Sequence, residues 1–456
     1  MSLHFYLGTI LNPQNDRKCD YYPTGMLVVE TKTKTKRNGK KEASSVVKEI
    51  LDLKKGWKKY ESQMANENTT AFDDGVILPA FFDMHFHWVQ DDVRAMPKDS
   101  LLQWLDLYTF PTETKFADAG YAKQKARDFF HKLMRAGTLG GACYSSIHEH
   151  ALDAAMNEVT GDFVIGNVLM NENSPEALTQ TPKESLALTK RLIKKYGRRF
   201  VFTPRFAIST DPKVMKEGSK LADQAKCFKQ SHLSETPGEI DFVLELYRQK
   251  KGFEKVANYT EIYAKTGMLG KRSLMGHGIH LSKSELELLH KTKTAIIHCP
   301  TSNAAIEEKG LGSGLFDFKK IEKANVRWAL GSDIGGGPFL SMFDVMRSYV
   351  DQNLRAKVKG ATYIKALYRA TLAGAELLEL EKKTGNLNPK KQPNFIVVAH
   401  PSEETPKTAE ALLESLVTIH ANEREQYDSM VDFVCYQGRV LFDQTEGDVR
   451  PGERLN

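Results

Sequence analysis

Five short segments recur in order along the chain, each an apolar run leading into a metal-ligand or carboxylate residue: PAFFDMHFH, FKQSHLSE, LMGHGIH, AIIHCPTSN and RWALGSD. No other feature narrows the possible folds as much. Side chains of a strand alternate between its two faces, so His85 and His87 point the same way and can share one ion, while Phe86 faces the other side. Downstream, His232 ends CFKQSH, His277 ends SLMGH and Asp333 ends VRWALGSD, each close to a turn-forming Gly, Ser or Pro. Imidazole nitrogen and carboxylate oxygen are the ligands zinc accepts where a position must stay open for water. His148 and His150 have the same spacing in SSIHEHA, but no long apolar run leads directly into them and Glu149 interrupts the pair, so a loop is expected there. Taken together, the five segments read as a metal hydrolase barrel.

From Val76 onward eight strand candidates follow one another: VILPAFFDMH, TLGGACYSSI, FVIGNVLM, FVFTPRFAI, KCFKQSHLS, SLMGHGI, TAIIHCP and VRWALGSD. Eight is the number that closes a parallel barrel. Segments of helical periodicity lie between them, among them YAKQKARDFFHKLMRAG, PKESLALTKRLIKKYG, GEIDFVLELYRQK, SKSELELLHKTK and FDFKKIEKAN, with the Gly, Asn or basic endings that helices favour. The expected fold is therefore α/β, a (β/α)8 TIM-type barrel. The polar residues of interest fall at the carboxyl ends of strand candidates one and four to eight, the face on which such barrels place their active sites.

At 456 residues the chain exceeds one such barrel of roughly 250 to 310 residues, so an accessory unit is expected. The flanks supply it. LHFYLGTIL and GMLVVETK read as strands, followed by a Lys-rich helical stretch, SVVKEILDLKKGWKKYESQM; FIVVAHP and DFVCYQGRVLFD read as strands again, with QGRV as a tight turn. The expected organisation is a small β-sandwich domain made by residues 1–75 and 388–456, with the barrel, 76–387, inserted between its halves.

Several partners are excluded on composition. The formal charge of +6 is a small excess of 64 basic over 58 acidic residues, too small to argue for nucleic acid. The basic run from Lys32 to Lys41 has no interleaved aromatic residues to stack on bases and reads as a solvated hairpin loop. Five scattered cysteines, with no Cys-x-x-Cys pair, disfavour a disulfide framework and a zinc knuckle and fit a reducing compartment. They also exclude the small zinc deaminase fold, which needs a Pro-Cys-x-x-Cys pair. No apolar stretch approaches the roughly 20 residues that cross a bilayer, and a cytoplasmic location without membrane partners is expected.

FFDMHFH, SHLSE, HG, HCPTSN and GSD, with the narrower LLQWLDLYTFPTETKF, TPRF, SHLSETPGEI and GSDIGGGPFLSMF, resemble the amidohydrolase superfamily and within it the guanine deaminase family. The resemblance spans roughly Val76 to Thr371. Ala80 where a glycine is usual, GTLGGACYSSI for a threonine-rich strand, and GSD for the commoner GTD are departures, and none removes a ligand. The resemblance implies one zinc ion per chain held by His85, His87, His232 and Asp333, with Fe2+ suiting the same donors. It implies that His277 hydrogen-bonds the attacking water without ligating the metal, that Gln90 and Arg205 hydrogen-bond guanine, and that Phe206 and Trp88 line the pocket. Relatives commonly form homodimers. Asp333, as ligand and neighbour of the water, can accept its proton, and Glu235, three residues after His232, is expected to shuttle a proton to a ring nitrogen and then to the leaving amine. Trp104, Tyr108 and Phe110 are expected to pack as a helix face, the alternative being that this loop after strand one folds over the pocket, while His280 and His298 are open between orienting neighbours and making core hydrogen bonds. The expected reaction is hydrolysis of guanine to xanthine and ammonia. The alternatives are deamination of another purine, pterin or triazine ring on the same scaffold, and a catalytically silent barrel serving as a scaffold protein.

Overall fold

In the computed structural model, which describes residues 1–35, 41–94, 96–98, 100–401 and 404–448, the strands form two sheets of eight. The first begins with β1 (Ser2–Asn15), β2 (Lys18–Thr35), β3 (Lys41–Asp52) and β4 (Thr69–Pro79). The second holds β5 (Phe81–His87), β6 (Thr138–Ser145), β7 (Asp162–Leu169), β8 (Val201–Pro204), β9 (Phe228–Leu233), β10 (Ser273–His277), β11 (Ala295–His298) and β12 (Arg327–Leu330), neighbours in chain order. The chain then rejoins the first sheet through β13 (Phe395–Ala399), β14 (Val431–Tyr436), β15 (Arg439–Asp443) and β16 (Gly447–Asp448), where β13 lies antiparallel to β4.

The second sheet is the parallel barrel the sequence predicts, each strand falling within or beside its candidate. Its circle is completed past β12 by two backbone bonds: Asp333 N–H to the His85 carbonyl, 2.7 Å, and His87 N–H to the Ile334 carbonyl, 2.5 Å. Two of the candidate ligands are thereby tied to the turn carrying a third. Phe86 points outward from β5 and stacks on Phe129 of the helix Ala119–Arg135, 5.9 Å between centroids, so His85 and His87 face the interior.

The first sheet folds over on itself. Val47 of β3 and Val440 of β15 stand near opposite ends of the strand order yet pack on one core with Tyr6, Ile77, Phe395 and Phe433. A Cβ on Gly438, in the β14–β15 turn, would lie 2.3 Å from Ser45 Oγ of β3. The result is the two-layered β unit expected of the termini. The QGRV turn is also present, with Gln437 and Gly438 both at positive φ, 55° and 80°, the hairpin geometry that suits a twisted strand pair.

Three local expectations are corrected. SVVKEILD is strand, not helix: Val29 pairs with Val47 and Leu27 with Ile50, and this cross-strand burial of β-branched side chains overrides the helical spacing. The helix begins only at Leu53, capped by Asp52, and ends at Tyr60. VILPAFFDMH is two strands, because Pro79 has no N–H to continue a ladder; Val76–Leu78 pair with β13 in the terminal sheet, and the barrel strand starts at Phe81. His148 and His150 lie at a helix start rather than in a loop, His148 being the residue before Glu149–Glu158. For the basic run, Thr35 pairs with Lys41 as a hairpin requires, and 36–40 lie outside the described residues.

Packing divides the chain into one unit of Met1–Phe82, Lys132–Gly140 and Ser341–Asn456 and another of Asp83–His131 and Gly141–Leu340. Every residue of the candidate site belongs to the second.

Candidate active site

The carboxyl ends of β5, β9 and β10 and the turn after β12 deliver four histidines and an aspartate to one point. His87 Nε2 lies 3.1 Å from His232 Nε2 and 3.5 Å from Asp333 Oδ1, and His85 Nε2 lies 3.3 Å from the same oxygen. Ligand atoms of His85, His232, His277 and Asp333 all fall within 4.8 Å of one another. Local geometry makes this convergence possible. Asp333 and His277 both have left-handed backbone, φ 52° and 71°, which turns the side chains off the strand direction. Gly276 leaves room for the His85 ring: a Cβ there would stand 2.5 Å from His85 Cε1.

The donors suit a cation. His85 Nε2 is buried and has no hydrogen-bond partner, an orphan that an ion would satisfy. His232 donates Nδ1–H to the Arg205 carbonyl at 2.6 Å, which fixes the tautomer and leaves the Nε2 lone pair facing the cluster. Burial holds His85 neutral, its pKa lowered to about 3, and lowers His87 and His232 as well. Neutral imidazole is the ligand form. Asp83 braces the arrangement from below: its carboxylate accepts N–H bonds from His85 and Ser332, 3.2 and 2.9 Å, and the Ser332 hydroxyl.

Glu235 and His277 sit beside the cluster. His277 Nε2 is 3.5 Å from Glu235 Oε2 and 3.9 Å from Asp333 Oδ2, and its Nδ1 is 3.2 Å from Asn303 Nδ2. Asn303 and Ser313 both donate to Glu235 Oε1, at 3.1 and 3.4 Å. Burial, then the nearby Asp333 charge, pushes the Glu235 carboxyl well above its ordinary range, which favours its protonated form. His277 is lowered by burial to about 4 and is neutral there.

A cavity of about 410 Å³ opens above these groups. Its wall includes Gln90, Arg205, Phe206, Glu235, Glu239 and Trp104. One carboxylate organises the polar side: Glu113 Oε1 accepts from Gln90 Nε2 at 2.8 Å and from Arg205 Nη1 at 2.8 Å, while Oε2 takes the same Nη1 at 2.9 Å. Arg205 also lies over the Phe110 ring, 5.2 Å from its centroid. The Arg205 pairing is thus buried, not a surface ion pair.

Of the residues singled out by sequence, the structure brings together His85, His87, His232, His277, Asp333, Glu235, Gln90, Arg205 and Phe206. Trp88 stands apart from the cavity wall: its ring meets Phe116 edge-on and its Nε1–H donates to Ser145 at 3.0 Å. Trp104 is both buried and in the wall, so the loop after strand one does fold over the pocket. His280 bonds the Ser313 carbonyl at 2.8 Å, and His298 stacks on Phe316. Sequence reasoning missed Glu113, Asn303, Ser313 and Asp83. Asn303 ends HCPTSN and Glu113 lies in LLQWLDLYTFPTETKF, both segments already quoted, but nothing in the second signals that its glutamate reaches Arg205.

Residues 76–439 match the model of the amidohydrolase family. The chain is 32% identical to a guanine deaminase of Escherichia coli over 331 residues, 71% of this chain and 73% of that one. It is 33% identical to a guanine deaminase of Dictyostelium discoideum over 338 residues, 70% of this chain and 73% of that one. Among solved structures it is similar to a guanine deaminase of C. acetobutylicum with guanine bound in the active site, at a TM-score of 0.81 and 26% identity, covering 97% of this chain and all of the other.

Proposed function

This chain belongs to the amidohydrolase family, and on that premise we propose that it hydrolyses guanine to xanthine and ammonia at the histidine–aspartate cluster. The observation that carries the reading is the approach of His85 and His87 nitrogens to Asp333, with His232 beside His87, within one cavity that also holds the buried carboxyl of Glu235.

His85, His87, His232 and Asp333 would hold one zinc ion per chain, Fe2+ being the other metal these donors accept. A bound divalent ion lowers the pKa of water towards about 7 and so supplies a nucleophile at neutral pH. The chain's own groups manage the protons. Asp333 takes a proton from the attacking water. Glu235, its pKa raised by burial, gives a proton to the ring nitrogen beside the amino-bearing carbon, so that the water oxygen can bond to that carbon. His277 Nε2–H steadies the oxygen as its charge grows, with Nδ1 facing Asn303. Glu235 then relays the proton collected from water to the amine, the carbon–nitrogen bond breaks and ammonia leaves, and the proton of the remaining hydroxyl returns to Glu235 as the new carbonyl forms. Arg205 and Gln90, fixed by Glu113, point donors at the exocyclic oxygen O6, an acceptor in guanine where adenine presents a donor; adenine would leave them unpaired. Phe206 gives the planar ring an apolar wall.

Ammonia release from guanine, adenine, 8-oxoguanine, isoguanine, pterins and triazines, with elemental analysis of the same preparation, tests both parts. The expected result is turnover of guanine far above the others at one zinc per chain. Inactivity on guanine with turnover of another ring overturns the substrate, and a purified chain without stoichiometric metal revives the silent scaffold. The family resemblance also carries a homodimer in a cytoplasmic setting, which sedimentation and cell fractionation check.

A further inference from the structure

Glu239 looks at first like an ordinary helix cap. At the third position of the helix Pro237–Arg248, its Oε2 accepts the N–H of Thr236 at 3.3 Å and of Glu235 at 2.8 Å, and its own N–H reaches Thr236 Oγ1 at 3.3 Å. Two other capping boxes of this kind show what capping alone requires. Glu184, paired with Thr181, is exposed. Glu285, paired with Ser282, is buried and spends its second oxygen on the N–H and hydroxyl of Thr260, at 3.3 and 2.9 Å. Glu239 differs from both. It is 1% exposed, its Oε1 has no hydrogen-bond partner although the Tyr259 hydroxyl lies near enough to lower the carboxyl's pKa, and it lines the cavity. A cap needs one oxygen. Burying the second without a partner costs free energy that solvent exposure would avoid, so an unfilled carboxylate oxygen on a cavity wall points to a ligand donor.

The shape of a purine says which donor. With the amino-bearing carbon at the cluster and the neighbouring ring nitrogen, N3, at Glu235, the exocyclic oxygen O6 lies towards Arg205 and Gln90. The next nitrogen on the perimeter beyond N3 is N9 of the imidazole ring. Glu239, in the first turn of the helix that follows Glu235, accepts the Glu235 backbone N–H and lines the same cavity, so it is the carboxylate next to Glu235 on that wall. We propose that Glu239 is a substrate-binding residue whose Oε1 accepts the imidazole N–H of the free base. The inference rests on the guanine reading above. The purine is then held at both ends by opposite chemistry, donors on its oxygen and an acceptor on its imidazole edge, and a sugar at N9 would be driven against a buried carboxylate.

Two isosteres test it on the full chain: 7-deazaguanine, which keeps the N–H at position 9, and 9-deazaguanine, which has carbon there. Used as substrates or competitive inhibitors, they should differ by about tenfold or more in favour of the first, the size of a hydrogen bond to a charged group. In Glu239→Ala the ratio should fall towards one, with KM for guanine rising more than kcat falls. Thr236→Ala, which weakens the cap but keeps the carboxylate, should preserve the ratio. If Glu239 only caps the helix, its variants weaken both isosteres equally and the ratio persists, which overturns the proposal. A ratio near one in the unaltered chain overturns it as well, even if Glu239→Ala fails to fold. A chain that does not turn over guanine at all fails on the earlier reading instead.

Discussion

Glu235 illustrates how position rather than residue type sets chemistry: burial beside another negative charge raises the pKa of its carboxyl and favours the protonated form. Replacing it by Gln keeps the shape and the acceptor for Asn303 and Ser313 but removes the mobile proton. Glu235→Gln should lower kcat by about 10²- to 10⁴-fold with guanine while metal content, read by elemental analysis, stays unchanged. Glu113 makes the complementary case. Its carboxylate is fully buried and pairs with Arg205, itself only 4% exposed. Glu113→Ala would leave that guanidinium unpaired in the interior, which costs about 3 to 5 kcal/mol. Urea unfolding should register the loss, and KM for guanine should rise because Gln90 and Arg205 lose their common anchor.

At the level of elements, the barrel strands act as rails whose ends must stop at the right height. β10 pairs with β9 so that Gly276 is opposite His232 and His277 opposite Leu233, which staggers the two histidines around the cluster. Gly276 is the element's tightest point, because the His85 ring occupies the space a side chain would take. Gly276→Ala should therefore push that ring aside and weaken metal retention on dialysis against a chelator, while far-UV circular dichroism stays unchanged. Retention equal to the unaltered chain would show that the ring has room to shift. Elements also explain where sequence patterns mislead. The spacing of Val46, Val47 and Ile50 suits a helix face, yet these residues lie in β3 because β2 is there to pair with them. Isolated periodicity cannot register a neighbour contributed by another part of the chain.

Over the molecule as a whole, the interior of the barrel sets a pH response. Burial lowers His85 to about 3 and His277 to about 4, and lowers His87, His232 and His298 too, whereas it raises Asp83 and Glu239 to about 7 and raises Glu235. Below about pH 6.5 the unfolded chain protonates its histidines and the folded one does not, so these groups lose stability as pH falls. The three carboxyls act oppositely, their contribution being lost as pH rises from about 4 to about 7. Five histidines outnumber them, so the Tm of the metal-free protein should climb between about pH 4 and 6.5, and a flat or falling Tm there would contradict the burial described. Much of this molecule is legible without coordinates. The eight barrel strands, the His-x-His pair, His232, His277, Asp333 and Glu235 all announce themselves, because strand alternation and ligand chemistry are local properties that short stretches must carry. What folding alone decides is where distant side chains meet. The pairing of Glu113 with Arg205, the turning of Trp88 away from the cavity and the open oxygen of Glu239 have no local signature, since each depends on which surface another segment brings opposite it.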